Sequence, residues 1–241
     1  MPETREAQLV RTFVSLADSL VSGYDVLDLL QTLVDQATLL FDASASGIII
    51  GPDAQHLEVV ASTSEKSRLV GLMQLEVGEG PCVEAVTTGR VVSVADVRAI
   101  AHRWPAFSAQ AAGAGYVSVH AIPLRLRAQV IGSLNLFREH EGALNEADAT
   151  AAQALADVAT ISVLQERIIH DSGVVHDQLR HALDSRVVIE QAKGVIAHTL
   201  GVDMDVAFRL IRREARSTST AMPVVAAAIV DGRTTLEAPR D

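Results

Sequence analysis

Along this 241-residue chain the spacing of apolar residues changes twice, and those changes limit the fold more than any other feature. Leu9, Phe13, Leu16 and Leu20 recur at helical spacing and end near Ser22-Gly23. Leu29, Leu33, Ala37 and Leu40 repeat the pattern behind Asp25, a suitable N-cap. The period then shortens. Gly47–Ile50 and Leu57–Val60 read as strands joined by the turn-rich Gly51-Pro52-Asp53-Ala54, a hairpin signal. A helix through Leu69 and Leu72 follows, then Gly78-Glu79-Gly80-Pro81-Cys82, a tight turn into a short helix with Pro81 at its first position. Val91–Val94, Val117–Pro123 and Val130–Phe137 complete five strand candidates, the last two predicted to lie side by side and antiparallel at the sheet centre. Strands interleaved with helices in this way predict an α+β domain with a mostly antiparallel sheet flanked by helices.

From Asn145, a second N-cap candidate, helical spacing returns and no strand follows. No breaker interrupts the pattern before Gly173. Ile161, Ile168, Val175, Ala182 and Ile189 fall seven residues apart, but of the companion positions Leu164, Asp171, Gln178 and Ser185 only the first is apolar. This is either a long connecting helix with a weak coiled-coil seam or a surface helix with one apolar stripe. Residues 186–232 then predict a compact three-helix unit. Val188, Ile189, Ala192, Ile196 and Leu200 line the first helix, which Gly201 ends. Asp203 caps the second, with Met204, Ala207, Phe208, Ile211 and Ala215 inward, and Pro223 opens the third. The expected organisation is a domain over 1–165, a helical connector over 166–185, an all-α domain over 186–232 and a flexible tail over 233–241.

Charge follows the same division. Residues 1–165 hold 10 basic and 19 acidic side chains, and residues 166–241 hold 10 and 11. Four of these ten basic residues, Arg209, Arg212, Arg213 and Arg216, lie within eight positions. No apolar run approaches the ~20 residues that span a bilayer, and the N-terminus lacks the basic start and apolar stretch of a secretory signal. The single cysteine, Cys82, excludes an intramolecular disulfide and a Cys-pair zinc site. A cytoplasmic protein without membrane attachment is expected.

Two resemblances rest on these residues. Glu79-Gly80-Pro81-Cys82, Thr88-Gly89-Arg90-Val91-Val92, Asp96, Ala121-Ile122-Pro123-Leu124 and Val130–Leu136 occur in an order and spacing that resembles a GAF domain over most of residues 8–165. The resemblance implies a sensory module that takes small molecules or haem and often dimerises through flanking helices. Its cyclic-nucleotide type usually carries Lys after the Asn of the last strand, whereas Leu136 follows Asn135 here. Ile189-Glu190-Gln191-Ala192-Lys193-Gly194-Val195-Ile196, with Gly201, Ala207-Phe208, Leu210-Ile211-Arg212, Ala215 and Val225-Ala226, is similar to an ANTAR domain, the RNA-binding module of transcription antitermination regulators. Ala197, Ser219 and Val224 stand where that family often has Met, Asn and Asp.

At about 100° per residue the four arginines form one stripe beside the apolar one. Arginine suits phosphate and splayed loop bases, and the same stripe also fits a solvated face pairing with Glu214 and Asp205. Gly194 in mid-helix costs ~1 kcal/mol relative to Ala, so close approach of either a second helix or an RNA backbone is expected. Lys193 beside it either meets phosphate or pairs with Glu190. In the front, Cys82 at a helix N-terminus is either a thiolate redox sensor or a buried inert thiol. His120 is either a haem or metal ligand or a pocket or surface residue, and Asn135 is the third candidate ligand contact. No nucleophile turn, Walker loop or carboxylate pair is visible, so neither catalytic nor metal-ligating residues are assigned.

The resemblances together imply a signal-responsive antitermination regulator, homodimeric through its first helix and residues 150–180. Its C-terminal domain would bind RNA stem-loops through Lys193, Gly194, Arg209, Arg212, Arg213 and Arg216. Its front would take a small-molecule effector of unknown identity. The alternative is a sensor or scaffold that works through protein partners without RNA.

Overall fold

The computed structural model describes residues 5–19, 26–52, 56–127, 129–170, 175–218 and 220–236. They fall into two compact units, Met1–Ser172 and Gly173–Asp241. In the first, strands β1 (Ala45–Ile50), β2 (Glu58–Ser62), β3 (Val92–Val94), β4 (Ser118–Leu126) and β5 (Gln129–Arg138) form one sheet in the order β2-β1-β5-β4-β3. Every pairing is antiparallel. The two strongest strand candidates become β4 and β5, paired from Ser118–Arg138 to Leu126–Gln129, with β5 at the centre.

Side chains alternate along the strands, so the sheet feeds cores on both of its faces. Ile48, Ile122, Leu134 and Leu136 point toward α1 (Arg5–Ser19), α2 (Val26–Leu40) and α6 (Glu146–His170), where Leu33, Val34, Leu155 and Ala159 meet them. Ile49 and Val59 point the other way, into a layer with Cys82 and Val86. Val119 and Phe137 share that side with Trp104 and Phe107. The helices there are α3 (Glu65–Val77), α4 (Pro81–Thr88) and α5 (Pro105–Gly113).

The expected first, second and third helices are present, and of the two leucines expected on α3 only Leu72 packs on the core. Leu69 is exposed, and the inward face is Ser67, Val70, Gly71 and Gln74. Asn145 caps α6: its Oδ1 accepts from the Asp148 N–H at 2.8 Å, and its Nδ2 donates to Asp148 Oδ2 at 2.8 Å. The predicted cap Asp25 lies outside the described residues, as do the side chains of Ile168, Val175 and Ala182 in the seven-residue repeat.

The second unit holds α7 (Val175–Leu200), α8 (Met204–Ser217) and α9 (Met222–Val230). Ile189, Ala192, Ile196, Ala207, Leu210, Ile211, Val225, Ala226 and Ile229 form its core. Gly201 follows α7 at φ 64, the left-handed conformation that ends helices most easily with glycine. Of the expected tail, Arg233 and Thr234 donate backbone N–H bonds to Ala228 O, and Leu236 packs on the core.

The segment Glu79–Cys82 joins three helices. One Oε1 of Glu79 accepts from the N–H groups of Ala106 and Phe107 at 2.8 and 3.1 Å, filling two empty donors at the start of α5. Gly80 sits at φ 123, and a Cβ there would lie 2.4 Å from Gln74 Oε1. That same oxygen accepts from the Cys82 N–H at 3.1 Å. Gly80→Ala should therefore destabilise this unit by about 2–3 kcal/mol through backbone strain and the Gln74 clash. Glu79→Ala should cost about 1 kcal/mol, as a lost helix cap does. Denaturant titration followed by Trp104, the single tryptophan and a buried one, reads this unit alone and would rank the two variants.

Candidate nucleic-acid interface and sensor residues

Helix α8 carries the arginine stripe because its polar and apolar faces are cleanly divided. Asp203 Oδ1 accepts from the Val206 N–H at 2.7 Å and fixes where the helix begins. Ala207, Leu210, Ile211 and Ala215 are then buried, while Arg209, Arg213 and Arg216 are exposed and Arg212 is half-buried. Three guanidiniums thus face solvent from one face of one helix.

Lys193 is not the surface charge that its neighbours in sequence suggest. Its side chain is only 5% exposed, against 30% for Glu190. Its ammonium donates to both carboxylate oxygens of Glu190, at 3.2 and 3.0 Å, and lies 5.6 Å above the ring of Phe208 on α8. The spacing of Val188/Ile189, Ala192 and Ile196 already placed Lys193 at the rim of the buried face; its charge hid that position. Gly194 is exposed, and a Cβ added to it would meet nothing within 4 Å. Among the described residues, no helix of this unit requires a glycine there.

In the first unit the three candidate contacts divide between the two sheet faces. Cys82 is wholly buried among Ile49, Leu57, Val59 and Val86. Burial pushes its thiol pKa far above the ordinary thiol range, outweighing the favourable helix N-terminus, so the group is a protonated thiol. Asn135 pairs with Gly47 and Ala121, on the same face. Its amide is 2% exposed and makes only long contacts to Ser133, at 3.3 to 3.5 Å. Gln74 is fully buried beneath α3, and its Nε2 has no hydrogen-bond partner. Gln74 was missed because only apolar residues were counted for periodicity; it continues the Val70–Gly71 face one turn on.

His120 lies on the opposite face, paired with Leu136 and Ser93. Its Nδ1 is 2.8 Å from Ser93 Oγ, which also accepts from the Leu144 N–H at 3.3 Å. Its Nε2 is buried without a partner. Burial, then the charges of Arg138 and His140, lower its pKa to about 4. Among the described residues no group of three or more His, Cys, Asp and Glu is placed to hold a metal, and no helix is long and apolar enough to cross a membrane.

The antiparallel five-stranded sheet with helices on both faces makes an α+β unit, and a separate all-helical unit follows it. The sequence model of the GAF domain matches residues 24–163, and that of the ANTAR domain matches residues 177–230. The chain belongs to the GAF domain family and carries an ANTAR domain behind its GAF domain. Similar solved structures include the phycoerythrobilin-bound GAF domain from a cyanobacterial phytochrome, 16% identical with a TM-score of 0.55, covering 70% of this chain and 100% of that one. The GAF domain of a phosphoenolpyruvate-protein phosphotransferase from Coxiella burnetii is 18% identical with a TM-score of 0.55, covering 67% and 95%. Free methionine-R-sulfoxide reductase from Neisseria meningitidis, in complex with its substrate, is 20% identical with a TM-score of 0.51, covering 68% and 91%. At these identities the likeness is one of fold. No curated protein matches the sequence. A GAF domain implies sensing and an ANTAR domain implies RNA-binding antitermination control, and both are regulatory domains.

Two measurements follow from the burial of Cys82 and His120. Cys82 should resist thiol reagents in the native protein and react fully in denaturant. The unfolded His120 takes a proton near pH 6.5, the folded one near 4, so the unfolded chain binds more protons between those values. That group therefore contributes stability above pH 6.5 and loses it as pH falls toward 4, by up to about 3 kcal/mol. Histidine-selective NMR should find the His120 imidazole still neutral at pH 5, and His120→Gln should abolish its signal.

Proposed function

We propose that this protein is a signal-responsive antitermination regulator whose ANTAR domain binds RNA stem-loops under control of its GAF domain. The observation that carries the reading is the outward arginine face of α8, which sits on a unit matched by the ANTAR model. Arg209, Arg213 and Arg216 reach phosphate from this face, with Arg212 at its edge. Gly194, exposed with open space above its backbone, lets a sugar–phosphate chain come closer than any side chain would allow. Lys193 belongs to the same site from beneath, through Glu190 and Phe208. The domains act as 1–165 for sensing, 166–185 for connection and 186–232 for RNA.

The effector is a small molecule bound on the α3–α5 side of the sheet. Asn135 and the unpartnered Nε2 of Gln74 supply polar groups there, beside Cys82 as an apolar wall. His120, on the other face, takes no part in that contact. Native mass spectrometry of the purified protein, with Trp104 fluorescence as the titration signal, identifies the molecule. The chain works as a homodimer through α1 and residues 150–180: Val10 and Val14 stand 62% and 55% exposed one turn apart on α1. Sedimentation at micromolar concentration should give a dimer; a stable monomer would remove this part of the reading.

The RNA face is tested by charge removal. Arg213→Ala and Arg216→Ala should leave the melting temperature almost unchanged, since exposed substitutions usually stay within about 0.5 kcal/mol. Each should weaken stem-loop binding and flatten its salt dependence by about 0.7 to 0.9 in log–log slope. Gly194→Ala should stabilise α7 by up to about 1 kcal/mol, yet bind RNA less well. Arg68→Ala, whose partner is Glu65 on α3, is the control and should change nothing. Equal binding and equal slope in all variants would leave the protein-partner reading in its place.

A further inference from the structure

We infer that the turn end of the β4–β5 hairpin, with Arg90 beside it, is a second phosphate-binding surface for RNA, carried by the GAF unit itself. The inference rests on the RNA reading of the chain and adds a contact outside the ANTAR unit.

Charge is not spread evenly over the front of the chain. Residues 85–130 hold five of the ten basic residues found in 1–165, all of them arginine, and only one of the 19 acids, Asp96. Three of the five stand at one end of the sheet. Arg125 Nη1 donates to Gly89 O at 2.7 Å, which ties the last residues of β4 to the end of α4. Arg90 follows the bonded glycine, and Arg127 lies two residues beyond Arg125, in the turn. All three are exposed, and among the described residues none has a carboxylate partner. The acid of α4, Glu84, is taken by Arg103, and Asp157 on α6 accepts from Gln153 Nε2 at 2.7 Å. The acidic excess of residues 1–165 lies elsewhere.

The turn is also built at a conformational cost. Leu126 pairs with Gln129, so Arg127 and Ala128 make the connection. Arg127 stands at φ 57, the left-handed region in which such turns ordinarily place glycine or asparagine, and this turn has neither. A strained backbone that presents a charge points to a use for that charge. Solubility is not that use, because a chain already carrying a net charge of −10 gains nothing from a cation there.

Phosphate is the partner this surface fits. A guanidinium that gives one nitrogen to Gly89 keeps its other N–H groups for a phosphate oxygen. Protein partners are held mainly by buried aromatic and apolar anchors. The exposed neighbours here are Thr87, Thr88 and Gln129, with Leu126 only 37% exposed. Contact with a phosphodiester chain needs little beyond the charge itself.

The test is a salt series on the full chain, with a fluorescein-labelled pool of stem-loop RNAs that carry randomised loops and single-stranded flanks. Arg90→Gln and Arg127→Gly each remove one exposed charge and leave the Arg125–Gly89 bond in place. Arg127→Gly also relieves the turn, so the melting temperature read from Trp104 should stay or rise. Each variant should flatten the log–log salt slope by about 0.7 to 0.9, so that its deficit against wild type grows about threefold from 200 to 50 mM salt. The double variant should lose about twice that slope, and adding Arg213→Ala should remove one step more, as separate sites do. Arg127→Lys should keep the wild-type slope, because it keeps the charge. The inference is overturned if the double variant binds with the wild-type slope while Arg213→Ala does not; an acidic protein would then be the occupant left for this surface. It is equally overturned if the double variant weakens binding with no change of slope, because charge then plays no part. Failure of the RNA reading looks different: wild type and every variant, Arg213→Ala included, would be alike in showing no salt-dependent binding.

Discussion

Strand β5 is the constraint on which the GAF unit is assembled. It forms ladders with β1 on one side and β4 on the other, so every other strand reaches the sheet through it or through one of its partners. Its alternation sets both cores at once: Leu134 and Leu136 enter the layer under α2 and α6, and Phe137 enters the one under α5. Gly132 shows how close that assembly is. A Cβ at this position would lie 1.9 Å from Ile49 O, so any larger residue would push β1 off the central strand. Moving β5 by one residue would exchange the two cores, which is why its register is so strongly specified.

Most of this was legible because burial wrote it in apolar residues. β4 and β5 read as strands rich in Val, Ile and Leu, since both faces of a central strand are covered, and Asn145, Gly201 and Asp203 mark helix ends by chemistry that acts within one turn. What escaped was written in polar or small residues. Helix α5 is alanine-rich and buries only Phe107, Ser108 and Ala111, too little to show a period. The most buried face of α3 is Ser67, Gly71 and Gln74 around one valine, so Leu72 packs at its margin and Leu69 pointed to the wrong side. His120 and Asn135 looked alike as polar residues on strands, but an even and an odd position on paired strands face opposite layers. Lys193 was hidden by its own charge: its place on the apolar side of α7 was visible, and its burial follows from Glu190 and Phe208, neither of which is its immediate neighbour in sequence.

The Glu79-Gly80-Pro81-Cys82 segment shows how a motif can carry a resemblance without carrying chemistry. Each of its residues has a structural task. Glu79 caps α5, Gly80 clears Gln74, Pro81 opens α4, and Cys82 donates its N–H to the same Gln74 while its thiol fills the core. A thiolate chemistry would need a solvated or electropositive setting, and Cys82 has Ile49, Val59 and Val86 around it.

Electrostatics also limits what one ANTAR unit can do alone. Residues 1–165 carry nine more acidic than basic side chains, a field that repels nucleic acid at low salt. Against it, three exposed guanidiniums on α8 would release only a few counterions, giving a salt slope of about −2 on a single strand. On the proposed reading such a contact would be weak and would distinguish poorly between RNAs. Two copies held together, each offering the same stripe, double the number of phosphates met and turn the second contact into an intramolecular one. A signal that changes how two ANTAR units are presented can then change RNA affinity steeply without altering a single residue of the binding face. For an ANTAR unit whose proposed RNA face is so small, that arithmetic is the physical reason to expect a dimer.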